Sequence, residues 1–339
     1  MAAINLQQPD DAGSWLASAG GVHGSALAVR YLPQRGGAGQ LQLFRGRPGE
    51  LADVCEGSVP VRLPGTPACM ASAVSGVSPL PLLPQYLRTL CAVLDISALP
   101  GTTAGQPCHI AHVGYGMGCL ALAWQAAAAQ PSYGGPALCQ SGVELDAAVR
   151  DIAVALAGHV PMIPVQASSA SEWVSTVQPS SLDCVVLDTS VTAQRCRHAV
   201  MSPAAGCAEL VPQLLGTLKP GGLLAVNVCA AFQAGDHDAA PGHVVGKMLA
   251  WHGWPVVHQM TLPGVHSELI VVPRACNGGQ NAWLLLCHDA SQLARYTAAT
   301  KAKSGVCMWP ALLPEEAGPE PVQQAGQREV AAAQWIALG

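Results

Sequence analysis

The chain has 339 residues, half of them hydrophobic and 11% charged, with a formal net charge of −5. That length exceeds an ordinary single domain and supplies ample apolar material, so one large domain with an appended piece, or two domains, is expected. No Lys/Arg cluster occurs, which argues against a nucleic-acid partner or an acidic membrane surface.

The 13 cysteines are an odd number, spread without any C-x-x-C pair. Metal ligands usually come in close pairs, and disulfide frameworks in short, even-numbered chains. No metal site is expected, and a reducing compartment follows. Cys184, Cys229 and Cys287 lie in or beside apolar runs and read as small buried hydrophobes. The opening "MAAINLQQPDDAGSW" lacks the basic and apolar regions of a leader, and the longest apolar stretches run to about a dozen residues, short of a membrane span. A soluble, cytoplasmic protein is expected.

Residues 1–80 carry short β-type runs, "ALAVRYL", "QLQLFRG" and "VPVRL", the first two flanking a hairpin loop "PQRGGAG". In 81–96, Leu87, Leu90, Cys91 and Leu94 fall at helical spacing. From residue 109 the pattern alternates. "HIAHVG" reads as a buried strand and 118–129 as a helix. "LCQSGVEL" (138–145) is the next strand, with a helix over 146–157. "VPMIPVQ" is a Pro-weakened third strand, "SEWVSTV" a short helix, and "LDCVVLDTS" (182–190) the clearest strand. "CAELVPQLLGTL" (207–218) is a helix, "KPGG" a turn and "LLAVNVCA" a strand. A helix near 242–252 precedes the strands "LIVV" (269–272) and "AWLLLC" (282–287). Beyond 290 come an Ala-rich helical segment, an exposed linker "LPEEAGPEP" and a terminal helix "VQQAGQREVAAAQWIAL".

Strands alternating with helices predict an α/β fold: a doubly wound, mostly parallel sheet, here with a β-rich N-terminal part and a helical C-terminal tail. The expected boundaries are 1–80, 81–290 and 291–339.

"HIAHVGYGMGCLALAW" places Gly114, Gly116 and Gly118 where a strand becomes a helix. Such a turn presents backbone N–H groups to a ligand, and glycine removes the Cβ atoms that would keep the ligand away. The pattern is G-x-G-x-G, unlike the dinucleotide motif G-x-G-x-x-G. Glu144 ends the next strand, where a carboxylate can accept two ribose hydroxyls. A tight structural turn is the plain alternative for the glycines. The strand-end acid favours a nucleoside ligand, since open α/β sheets bind ligands at the carboxyl ends of their strands.

"HVGYGMG", "SGVELD", "LDCVVLDTS" and "LLGTLKPGGLLAVNV" follow one another at spacings that resemble class I S-adenosylmethionine-dependent methyltransferases, and most closely their spermidine-synthase-like branch. "VVPRACNGGQNAWLLLCHD" is similar to that branch's terminal segment. The chain also resembles the branch's methyltransferase domains that modify a translation elongation factor, of the methyltransferase-like protein 13 C-terminal type. The resemblance covers about residues 80–290. It implies S-adenosylmethionine as cofactor, with Gly114, Tyr115, Gly116 and Gly118 cradling its methionine part and Glu144 holding the ribose. Asp188, at the tip of the fourth strand, matches the branch's Asp beside the reacting amine. Self-association as a homodimer is a further implication.

The chain departs from the branch in three places. The second Asp of aminopropyl transfer is replaced by Val191. The Tyr of the branch's Pro-Thr-Tyr-Pro turn has only Cys276 or Asn277 opposite it. The acid that contacts the adenine amino group is replaced by Ser168 and Ser169. Residues 188–200 hold one acid against Arg195, Arg197 and His198, a poor setting for a polyamine.

Other residues have plainer readings. Asp188 could instead cap the segment after its strand. His109 and His112 read as satisfied strand histidines. His258, His266 and Glu268 are explained by position before a late strand, and Trp251 and Trp254 by packing. A Ser-His-Asp hydrolase is disfavoured, because the turn G-Y-G-M-G holds no nucleophile. The expectation is methyl transfer to an unspecified acceptor, a protein or a small molecule. The rivals are aminopropyl transfer and a non-catalytic interaction protein that keeps the fold.

Overall fold

The computed structural model describes residues 15–18, 27–33, 38–45, 55–62, 66–67, 83–94, 96–100, 105–129, 133–157, 163–192, 199–201, 210–231, 264–271, 279–301 and 334–337. The N-terminal part forms one antiparallel sheet in the order β1-β2-β3-β4-β5: Trp15–Ser18, Leu27–Pro33, Ala38–Arg45, Cys55–Arg62 and Thr66–Pro67. The three β-type runs of the sequence are β2, β3 and the end of β4. The expected loop between β2 and β3 lies outside the described residues.

Helix α1 (Gln85–Val93) leads into the second sheet, and the four residues read as its apolar stripe, Leu87, Leu90, Cys91 and Leu94, are all buried. Then β6 (Cys108–Val113), α2 (Cys119–Ala128), β7 (Leu138–Glu144), α3 (Ala147–Ala157), β8 (Val165–Ala167), α4 (Ala170–Thr176) and β9 (Leu182–Leu187) alternate as expected. A hairpin of β10 (Ser190–Thr192) and β11 (Ala199–Met201) follows. The chain continues with α5 (Leu210–Thr217), β12 (Leu218–Ala231), β13 (His266–Val271), β14 (Gly279–Cys287), α6 (Ala290–Lys301) and β15 (Gln334–Ala337).

The second sheet has eight strands in the order β15-β13-β14-β12-β9-β6-β7-β8. From β8 through β12 every pairing is parallel, while β14 is antiparallel to both β12 and β13. Counting from β6, the strands from β8 to β13 take the doubly wound order 3-2-1-4-5-6 with the reversed β14 inserted before the last, and β15 adds a second reversed strand at the outer edge. Apolar side chains cover both faces, as a sheet buried on two sides requires. One face packs Ile110, Cys184, Val186, Leu223, Ala225 and Trp283 under α1, α2 and α6. The other packs Val113, Val185, Leu187, Leu224, Val226 and Leu284 under α4 and α5.

Three expectations change. β8 starts only at Val165, after Pro164, which has no N–H to donate but whose carbonyl accepts Gly142 N–H (2.8 Å) at the start of the β7–β8 pairing. "KPGG" is an irregularity inside β12, where the pairing with β9 shifts between Leu218 and Leu223 and Gly221 has φ +79°. Residues 334–337 of the expected terminal helix are instead strand β15, which pairs antiparallel with β13. Trp335 and Ile336 suit a strand, and the ladder groups of β13 reward pairing more than the weak helix propensity of a short segment would. The rest of that segment, the 242–252 helix and the "LPEEAGPEP" linker lie outside the described residues. No helix among the described residues is long and apolar enough to cross a membrane.

Candidate functional site

The carboxyl ends of β6, β7, β9 and β12 meet at one edge of the sheet. After β6 the three loop glycines have φ of +81°, +54° and +73°, the region where a Cβ is disfavoured. Their surroundings differ. A Cβ on Gly114 would lie 2.3 Å from the Asp188 carbonyl oxygen, and Asp188 N–H donates to Val113 O (2.8 Å), so loop and β9 are joined tightly. A Cβ on Gly118 would strike the Tyr115 ring at 2.6 Å. A Cβ on Gly116 would meet nothing within 4 Å, so here bare backbone faces open space.

Tyr115 is not placed as a wall of that space. Its ring is 8% exposed and packs beneath the loop with Ala121, Ala153 and Ile163, tight against Gly142 of β7. Only its backbone can belong to a cradle.

Glu144 ends β7 against the loop. Its Oε2 accepts Gly116 N–H (2.8 Å) and its Oε1 accepts Asp146 N–H (3.0 Å). Both carboxylate oxygens thus lie against backbone N–H groups, one of the loop and one of the start of the next helix. The next residue, Leu145, is 59% exposed at the same rim.

Ser168 follows β8 and is tied to this corner by its N–H on Glu144 O (3.1 Å). Ser169 is the N-cap of α4. Its Oγ accepts Glu172 N–H (3.2 Å), while Glu172 Oε2 accepts Ser169 N–H (3.1 Å) and Oγ–H (2.8 Å). That reciprocal pair is a capping box, and it occupies the Ser169 hydroxyl. The same bonds hold the Glu172 carboxyl below its ordinary range.

Asp188 sits past the end of β9 between two donors: Tyr86 OH to Oδ2 (3.0 Å) and Asn227 Nδ2 to Oδ1 (2.7 Å). Burial pushes its carboxyl up, while the bonds from Asn227 and Tyr86 oppose the shift. Trp283, paired with Asn227 across β12 and β14, donates Nε1–H to Tyr86 O (2.8 Å) and stacks on the Tyr86 ring at 6.1 Å and 19°. Tyr86, Asn227 and Trp283 do not figure among the sequence candidates. Asn227 carried a signal: a single amide inside the apolar strand "LLAVNV" needs a partner.

The remaining candidates lie apart from this edge. Val191 pairs with Val200 in the β10–β11 hairpin. His112 is a satisfied core histidine: Nε2 bonds Gln140 Oε1 (2.9 Å), and burial lowers its pKa to about 4. His109 N–H donates to Asp183 Oδ2 (2.8 Å), and Glu268 Oε2 accepts Thr297 Oγ1–H (3.2 Å). Cys184 and Cys287 are buried and their thiols are pushed up by burial. His258, Trp251, Trp254, Arg195, Arg197, His198, Cys276 and Asn277 lie outside the described residues, as does the Cys229 side chain.

The strand order, the glycine turn and the strand-end acids together define a Rossmann-like fold of the class I methyltransferase type. The crystal structure of a probable spermidine synthase from Corynebacterium glutamicum is similar over 97% of this chain and 91% of its own, at 14% identity and a TM-score of 0.53. Human methyltransferase-like protein 13 in complex with SAH is similar over 72% of this chain and 99% of its own, at 14% identity and a TM-score of 0.42. No protein-family model and no curated protein matches the chain.

Proposed function

We propose that the chain transfers the methyl group of S-adenosylmethionine to a nucleophile held beside Asp188. The Gly116–Glu144 junction carries this reading: backbone open to a ligand, with a strand-tip carboxylate 2.8 Å from that backbone. The surroundings fit the nucleoside. Glu144 takes the ribose diol, the bare backbone at Gly116 allows close approach, and Leu145 offers an apolar face to the base. The Gly114–Gly118 backbone lies along the methionine part, and the bound cofactor supplies an electrophilic methyl group.

Asp188 orients the acceptor and can take its proton, while Tyr86 and Asn227 fix the carboxylate. Such a site accelerates the reaction mainly by positioning. Aminopropyl transfer finds no second carboxylate at Val191, which is a residue of the β10–β11 hairpin.

Isothermal titration with S-adenosylmethionine and S-adenosylhomocysteine tests the reading. Micromolar binding is expected, with Glu144→Ala weakening it by about a hundredfold, the loss of two hydrogen bonds to a charged group. Unchanged affinity in Glu144→Ala, or no binding to the intact chain at millimolar ligand, would leave an interaction protein that keeps only the architecture.

A further inference from the structure

The Tyr115 ring fills the gap between the glycine loop and β7. A Cβ on Gly118 would lie 2.6 Å from its Oη, and a Cβ on Gly142 would lie 2.8 Å from its Cγ, so two elements give up a side chain to admit one ring. The two glycines differ. Gly118 has φ +73°, which favours glycine by itself. Gly142 lies inside β7 without a left-handed backbone, where glycine weakens the strand and marks a close approach by another group. On a third side the His112 ring meets Tyr115 edge-on, with centroids 6.4 Å apart at 82°. His112 is itself fixed. Gln140 Nε2 donates to Ala121 O (3.1 Å) and Gln125 Oε1 (3.0 Å), which leaves Gln140 Oε1 to accept His112 Nε2–H (2.9 Å). With Ala121, Ala153 and Ile163 also packed against it, the ring has little room to settle elsewhere.

Three consecutive residues of β7 therefore hold the loop, each in a different way. Gly142 meets the ring. Val143 O accepts both Gly114 N–H and Tyr115 N–H (2.9 Å each). Glu144 Oε2 accepts Gly116 N–H (2.8 Å). Resting on the methyl-transfer reading, we propose that Tyr115 is a positioning residue: its ring, wedged against Gly142, sets the height of the Gly116 backbone over β7 and thereby the affinity for the nucleoside. A smaller side chain lets the loop sink. A Cβ on Gly142 drives the ring toward the loop. Either change moves Gly116 N–H off Glu144 and alters the surface the ligand meets. The two faults are opposite in sign, so each offsets the other: leucine gives up the volume that the alanine methyl group takes.

The experiment uses the full chain and two readouts. One is the calorimetric affinity for S-adenosylhomocysteine. The other is hydrogen exchange of the Gly116 amide without ligand, its resonance assigned by its absence in Gly116→Ala. Tyr115→Leu and Gly142→Ala should each weaken binding and speed Gly116 exchange by about tenfold or more, the effect of losing one hydrogen bond to a charged group. The double variant should recover to within about threefold of the parent, where independent effects would multiply to about a hundredfold. Tyr115→Phe, which keeps the ring, should restore the affinity lost in Tyr115→Leu. Leu214→Ala opens a cavity under the opposite face of the sheet and costs comparable stability, yet should keep the affinity when measured below its melting temperature. Should Tyr115→Leu fail to fold, Gly142→Ala alone carries the test. Multiplying losses in the double variant, parent-like affinity in Tyr115→Leu or Gly142→Ala, or an equal loss in Leu214→Ala overturns the proposal. No binding to the parent, with Gly116 exchange still governed by Tyr115 and Gly142, would overturn the methyl-transfer reading and leave the wedge standing.

Discussion

Gly114 and Gly116 are two residues apart and share a left-handed backbone, but for different reasons. At Gly114 the added methyl group would enter the Asp188 carbonyl, a backbone atom that cannot swing away. Gly114→Ala should therefore lose about 3 kcal/mol in chemical denaturation, from left-handed strain plus overpacking. Gly116→Ala meets only the strain, about 1 kcal/mol, and should chiefly weaken the nucleoside. Similar destabilisation of both variants would refute this division. Asp188 presents the opposite trade. Its folded-state pKa is raised above 3.8, so the folded protein holds its proton more tightly than the unfolded chain. That contribution is present below the ordinary carboxylate range and is lost as pH rises through the folded value. At neutral pH the ionised group costs stability. Asp188→Asn, with the Asn227 amide turned to accept from it, should match or exceed the parent in melting temperature at pH 7 while methyl transfer collapses. A clear loss of stability at pH 7 would show that the carboxylate is a structural partner.

At the scale of elements, periodicity made most of the second sheet legible. β6, β9 and β14 carry apolar runs bounded by turns, and α1 shows its stripe because buried positions recur at helical spacing. Glycines and strand-end acids singled out Gly116, Glu144 and Asp188, and the fold brings all three to the carboxyl edge of the parallel strands. Tyr86 was illegible: it reaches Asp188 across 102 positions, and nothing near it in the chain signals that contact. Ser169 carries a second, local signal. "SSASE" contains the S-x-x-E of a capping box, a local signal that outranks comparison with a missing acid. β15 escaped because a terminal segment takes its conformation from the edge it meets, and propensity within 334–337 could not reveal β13 waiting there.

Across the whole molecule, polar pairing separates the two ends of the parallel strands. At the amino end of β9, Asp183 is fully buried and its Oδ2 accepts both Lys219 Nζ (2.7 Å) and His109 N–H (2.8 Å), binding β9 to β12 and β6. Removing Lys219, whose side chain is 26% exposed, leaves the fully buried Asp183 charge uncompensated and costs about 2–3 kcal/mol, below the range of a wholly buried pair. Lys219→Met should lower the unfolding free energy by that amount in chemical denaturation and leave nucleoside affinity unchanged when measured below its new melting temperature. A parallel fall in affinity would mean that the two ends of the sheet are coupled.

β9 lies between β6, which carries the glycine loop, and β12, which carries Asn227. On the methyl-transfer reading proposed above, descendants of this gene could revise the recipient by changes around Asp188 on the β12 side without renegotiating the Gly116–Glu144 grip on the nucleoside. The chemistry would be inherited along one border of a single strand, and the clientele revised along the other.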